Sequence, residues 1–561
     1  MKHTNIYILS FTILCLSGCS FLDFDETDGL YTHDDIYSYF PETKKMLTNV
    51  YSYIPQDFGT IGGAMRDCAC DDAEFGDAGA SVQDFNTGNW SAVNTLDSSW
   101  SLYRGVRAAN EFIASIAETD FSRYEHDASY SNMVAQLKYF PYEARMLRAY
   151  FFFELAKRYG DIPMPLKVLS TGEANSIEKT PFDDVVEFIV SECDECRDNL
   201  PVSYISEPNA ETGRITSGFV MALKSKALLY AASELHNPGM DRGKWLRSAK
   251  AALELIDSGT YSLDPSDKCG NLGSPEVVLF RMNGNSTAFE LNNFPIRYTE
   301  GRRSRPASAT FPTQNLVDAF QTRNGYSVRL AQDGWLCDDP QFDPQNPWSN
   351  RDPRFMRTVL ANGSVFKGSV IECYAGGKDD NETALGGSPT GYFLRKYIRE
   401  NVSFVPNQTV TDKHHWIVYR YAETLLTYAE SMIEAFGEPD YTDADFIRSA
   451  SWALNSVRAN AGMPAVRAGD KASFIAALRN EWRVEFAFED HRFWDVRRWK
   501  IAGTTQTAVY GVKIRRDRTT GYSCTRVLLE TRAWRDAFYL YPIPQAELFK
   551  NPALAPQNRG W

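Results

Sequence analysis

Helical periodicity in this 561-residue chain is confined to two blocks, and residues 261–413 between them show no sustained period. A chain so divided must build a helical scaffold and mount a long irregular segment on it, and long irregular segments in compact proteins usually carry function. In the first block, residues 143–159 read EARMLRAYFFFELAKRY. The run Phe151-Phe152-Phe153 leaves this helix no polar face, so it must be buried on most sides. Gly160 supplies its C-cap ahead of Asp161-Ile162-Pro163. Further helices are expected over 98–118, 182–199, 216–235 and 244–258, with Ala222, Ala227, Ala231 and Ala232 small enough to let neighbours approach closely. The second block, about 415–500, holds helices over 421–436, closed by Gly437, and over 444–460 and 471–490. These read as antiparallel pairs stacked in a repeat-like scaffold, without a clean tetratricopeptide period of about 34 residues. The insert carries Trp335, Phe342, Trp348 and Tyr374; a second irregular stretch, 55–97, carries Asp71-Asp72-Ala73-Glu74-Phe75 and Trp90. Two aromatic-bearing loop regions on a helical frame point to a recognition surface.

The N-terminus reads as a targeting signal. Residues 1–18 hold one charged group, Lys2, then an apolar run that ends in Leu16-Ser17-Gly18-Cys19. The run is shorter than the roughly 20 residues of a spanning helix, so it targets rather than spans. Cys19 is the expected lipidation site, and residues 19–561 are then one mature domain tethered by acyl chains.

The formal charge is −13, and loss of Lys2 makes it one unit more negative, which argues against nucleic acid as a partner. The runs Arg302-Arg303-Ser304-Arg305 and Arg515-Arg516-Asp517-Arg518 read as solvated or salt-bridged loops. Beyond Cys15 and Cys19, eight cysteines remain, enough for roughly a hundred pairings, so no disulfide scheme follows. Cys193 and Cys196, in a helical stretch without a second pair or a nearby His, read as structural.

Known chemistries find little support. Glu481, Glu485 and Glu489 recur every four residues and share a helix face, where Arg479, Arg483, Arg492 and Arg497 favour ion pairs at a helix edge over a glycosidase's two carboxylates. His414-His415 and Asp490-His491 lack the HExxH spacing of a zinc site, and there is no nucleophile elbow, P-loop or GxGxxG opening a helix. Acidic groups at Asp338-Asp339-Asp343 and Asp71-Asp72-Glu74 offer hard oxygens suited to calcium, but without an EF-hand pattern they read as solvated loops. No cofactor is expected.

Three segments together resemble the SusD/RagB family of surface glycan-binding lipoproteins. The first is EARMLRAYFFFELAKRYGDIP, from Glu143 to Pro163. The second is Arg420-Tyr421-Ala422-Glu423 through Glu430, with Leu454-Asn455 and Val457-Arg458. The third runs from Arg479-Asn480-Glu481 through Glu485, Phe488-Glu489 and His491-Arg492-Phe493-Trp494-Asp495 to Arg497-Arg498-Trp499. Tyr541-Pro542-Ile543-Pro544-Gln545 and Asn551-Pro552 are similar to the family's closing signature. The resemblance implies a mainly α fold in which tetratricopeptide-like helix pairs support a loop-rich ligand-binding subdomain. It also implies a non-catalytic role: holding an oligosaccharide or polysaccharide at the outer membrane and delivering it to a SusC-like TonB-dependent transporter. Asp23, Asp25 and Glu26 after Cys19 are similar to surface-export signals of such lipoproteins.

A glycan site needs exposed rings for the apolar sugar faces and polar groups for the hydroxyl rim. Trp90 and Trp335, both in irregular segments, are the expected stacking platforms, in the two regions where the family places them. Asp72 and Arg395 are the expected polar partners, and Phe75, Tyr298 and Tyr397 are further candidates. Trp100, at helical spacing with Tyr103, reads as core. The combination of Asp72, Trp90, Trp335 and Arg395 is similar to fructan-binding members. A structural lid for a transporter of peptide or another nutrient is the alternative, and a surface glycoside hydrolase using Glu481 and Glu485 is a third reading.

Overall fold

A computed structural model describes residues 32–561 except 206, 208–210, 267, 304–308, 383–386, 468 and 518–520. Cys19 and the leader lie outside the described residues. Ten helices frame the fold: α1 (Phe40–Ser52), α2 (Leu102–Ala117), α3 (Phe140–Tyr159), α4 (Phe182–Cys196), α5 (Ser217–Ala232), α6 (Arg242–Asp257), α7 (Tyr421–Phe436), α8 (Ala450–Asn460), α9 (Lys471–Glu485) and α10 (Arg492–Arg498).

Each helix from α2 to α8 packs on the next in sequence, and α6 meets α7 although the whole insert intervenes. This serial stacking is the physics of helical repeats, in which no helix pair buries its apolar face without its neighbours. Small residues set the spacing: a Cβ at Gly105 of α2 would stand 2.9 Å from the Phe151 ring and from Tyr53. Helix α3 is buried almost all round, including Phe151, Phe152 and Phe153, and Gly160 ends it at φ 71° with its N–H on the Ala156 carbonyl. Gly437 ends α7 in the left-handed conformation. Thr216, Ser449 and Asp470 cap α5, α8 and α9, accepting backbone N–H groups of Phe219, Trp452 and Ser473.

Several boundaries are shorter than periodicity suggests. The helix read over 471–490 stops at Glu485, because Phe488 and Asp490 adopt positive φ values of 60° and 59° and turn the chain back. The helix read over 444–460 starts at Ala450. Trp100 sits in the 3₁₀ turn Ser98–Ser101, half-buried against Tyr103 and Tyr159 at 5.0 and 4.9 Å.

The insert is closed at its root. Strand Val277–Ser286 pairs antiparallel with Asp412–Arg420, and the Tyr421 N–H meets the Glu276 carbonyl at 2.8 Å, so both ends of the insert are fixed at the start of α7. Short two-stranded ribbons fill the insert, including Arg329–Ala331 with Gly334–Leu336 and Val359–Leu360 with Phe393–Leu394. The stretch 55–97 is packed inward: its strand Ala73–Phe75 pairs with Thr310–Pro312. After α10 the chain forms a long hairpin, Ala508–Asp517 with Gly521–Thr531, that lies against the insert.

Among the described residues no disulfide joins the eight cysteines, seven of them buried and Cys337 half-buried. No described helix is long and apolar enough to cross a membrane.

Candidate functional site

The sequence-selected residues separate into interior and surface groups. Trp90 is 2% exposed, enclosed by Phe85, Trp561, Phe538 and Tyr541 with ring centroids 4.6 to 5.2 Å away. The C-terminal residues cover it, so its ring is a packing element and does not face a ligand. Phe75 is buried on its strand, and Tyr397 is buried with its ring stacked on Trp416 at 5.5 Å. Asp72 is fully buried and accepts from Arg483 Nε at 2.7 Å. Asp71 beside it takes Arg492 at 2.9 and 3.0 Å, so this acidic pair is ion-paired core rather than a solvated loop.

Three selected residues reach the surface. Arg395 is half-buried, donates to Glu400 at 2.8 Å, and lines a cavity of about 370 Å³ together with Lys268, Arg357 and the edge of Tyr397. Tyr298 is half-buried, with Arg297 stacked 4.4 Å from its ring. Trp335 is half-buried on a two-residue hairpin, paired across the ribbon with Leu330.

Around Trp335 the structure assembles a shelf of partly exposed rings. Phe342 meets it at 6.1 Å, edge to face. On the C-terminal hairpin, Cys524 lies against the Trp335 indole, and burial pushes its thiol up to about 11. Tyr522, two residues away on the same strand face, stands 6.0 Å from Tyr374 and 6.2 Å from the buried Trp348. The Arg516 guanidinium donates to the Tyr374 hydroxyl at 3.2 Å, and Leu336 and Leu528 are more than half exposed. Rings held by packing on one side and open on the other, with a guanidinium at the edge, suit a flat amphipathic ligand. Phe342 and Tyr374 lie in the insert that was read as the recognition segment. Tyr522 was missed, although the alternation through Val512 and Ile514 and the Gly521 turn mark a hairpin.

The carboxylates considered for catalysis are locked elsewhere. Glu481 and Glu485 share Arg354 Nη1 at 2.5 and 2.8 Å, Glu481 also takes Arg458 at 2.8 Å, and Glu485 and Glu489 both take Arg420. The reading of these residues as ion-paired holds, with a change of place and partner. They are buried rather than on a helix edge, and the guanidinium groups come from the insert, from the end of the strand before α7 and from α8 instead of from the same helix. Arginine holds Glu489 down at about 2, the reverse of what a general acid needs.

The fold is a serially stacked helical scaffold that carries a loop-rich insert and an aromatic shelf on its surface. Comparison with known proteins supplies the family. The sequence profile of the SusD family matches residues 275–561, and the chain belongs to that family. SusD-like protein P2 of Formosa agariphila is 24% identical over 578 residues, covering 99% of each chain. A SusD-like protein of Bacteroides fragilis is 25% identical with a TM-score of 0.76, covering 94% of this chain and 98% of its own. A second from the same species, described as a SusD-like carbohydrate binding protein, is 23% identical with a TM-score of 0.70, covering 93% of this chain and 100% of its own.

Proposed function

We propose that this protein is a surface glycan-binding lipoprotein that holds an oligosaccharide on the Trp335 shelf and passes it to a SusC-like TonB-dependent transporter. The observation that carries the reading is the set of half-buried rings Trp335, Phe342, Tyr374 and Tyr522, with Arg516 at its edge. Sugar rings present C–H faces to such rings and hydroxyls to such edges. A related fold described as carbohydrate binding supports the ligand class. Acylation at Cys19 would tether the domain at the outer membrane, facing the medium.

The role is non-catalytic. Glu481 and Glu485 are buried and neutralised by Arg354, Arg420 and Arg458, so they lack access to a glycosidic bond, and against the effect of burial Lys268, Arg420 and Arg354 hold Glu485 well below the usual carboxylate range, the reverse of what a proton donor needs. The fructan reading combined Asp72, Trp90, Trp335 and Arg395 in one site. With Asp72 and Trp90 in the interior that combination no longer selects a sugar, and fructan stays as one arm of the test.

The test is a calorimetric panel of levan, inulin, starch, xylan and laminarin oligosaccharides against the whole mature chain. One glycan class should bind, and Trp335→Ala should abolish or sharply weaken it. Absence of binding across the panel, with a transporter still co-purifying, would favour the lid for peptide or another nutrient.

A further inference from the structure

Within the second irregular stretch, the turn from Asp67 to Asp72 concentrates buried donor atoms in six residues. Asp67, Cys70 and Asp72 are 2%, 0% and 0% exposed, and one ligand atom from each lies within 4.8 Å of the others. Asp72 Oδ2 has no hydrogen-bond partner among the described residues, and no described side chain hydrogen-bonds the Asp67 carboxylate, on which only the Phe488 backbone N–H bears. The other Asp72 oxygen is held by Arg483 at 2.7 Å, which leaves Oδ2 for the cluster. Asp57, outside the trio and 1% exposed, also has an unpartnered oxygen, and its charge bears on Asp67. A buried carboxylate without a partner costs several kcal/mol, so this group of oxygens requires protons or a cation.

We propose that Asp67, Cys70 and Asp72 form a structural site for a zinc-class divalent cation. The donor set decides the class: a thiolate with two carboxylates suits zinc, whereas calcium and magnesium take oxygen donors alone. The Cys70 thiol donates to the Asp67 carbonyl at 3.2 Å, which places its sulfur beside the two carboxylates. Zinc binds the thiolate, so the thiol proton leaves to solvent as the Zn–S bond forms, and any proton on a ligating carboxyl leaves with it as the Zn–O bonds form; no electron moves. Zinc ligands stand about 3.5 Å apart, so the trio, whose donor atoms lie within 4.8 Å of one another, draws closer on binding. Three anionic ligands around a dication leave one negative charge, which Arg483 on Asp72 offsets. The ion would pin the turn from which Ala73–Phe75 leaves to pair with Thr310–Pro312, tying the early chain to the insert.

The test uses the full mature chain carrying no histidine tag. After equilibration with zinc and removal of free metal, mass spectrometry should find about one zinc per chain and the melting temperature should rise. Cobalt should give a thiolate-to-cobalt charge-transfer band that survives Cys68→Ser and is lost in Cys70→Ser and Asp67→Asn. Wild-type protein that retains no zinc and shows no cobalt band overturns the site, and so does a band that survives Cys70→Ser. The wild-type spectrum decides even where a core variant fails to fold. Glycan binding does not enter this readout, so its failure is separable from failure of the proposed function.

Discussion

Arg420 grips Glu489 through two hydrogen bonds of 2.8 and 3.0 Å, both side chains buried. Arg420 ends the strand that closes the insert, and Glu489 follows α9, so this contact fastens the root of the insert to the last helix pair. Removing one partner of such a pair leaves an uncompensated buried charge. Arg420→Ala should therefore lower stability by about 3–5 kcal/mol in denaturant titration.

Acid should loosen this joint and two other buried ion-paired carboxylates. Asp97, Glu154 and Glu489 are each held down at about 2, although burial alone would raise them, because guanidinium and ammonium groups face them. In the unfolded chain these carboxylates titrate near 4. Depressed carboxylates contribute stability that is complete above the unfolded value and is lost as pH falls toward the folded one. The melting temperature should change little through these groups from pH 7 to 5 and fall between about pH 5 and 2, and Glu489→Gln should make that fall shallower.

The two tryptophans first paired as a binding platform should behave oppositely. Trp90→Ala removes a ring enclosed by Phe85, Phe538, Tyr541 and Trp561 and should cost about 3–5 kcal/mol of stability. Trp335→Ala should leave the melting temperature within a few degrees while weakening glycan affinity by about tenfold or more in calorimetry.

Gly105→Ala tests the scaffold. Its Cβ would meet the Phe151 ring and the Tyr53 Cβ at 2.9 Å, forcing α2 away from α3, with an expected loss of about 1–3 kcal/mol by thermal or chemical unfolding.

Cys19→Ala should abolish surface placement, scored by protease or antibody access on whole cells, while the purified domain keeps its fold and glycan affinity.

The residues that could be read from sequence are those whose environment is local. The Phe151-Phe152-Phe153 helix, the Gly160 and Gly437 caps and the order of the helical blocks follow from periodicity and backbone chemistry, because a helix satisfies its own hydrogen bonds and only its faces await partners. The ion pairing of Glu481, Glu485 and Glu489 was legible as charge, but Arg354 stands 127 positions from Glu481 and Arg420 stands 65 from Glu485, separations that no spacing rule spans. The shelf is tertiary in the same way. An aromatic in an irregular segment is exposed or enclosed according to what folds over it. The chain's last residue covers Trp90, while the hairpin carrying Tyr522 and Cys524 arrives beside Trp335 and leaves its ring partly open. Burial is decided by contacts between distant parts of the chain, which is why sequence settled the scaffold and the family resemblance, and only the tertiary structure shows which of the two tryptophan rings is enclosed and which is partly open.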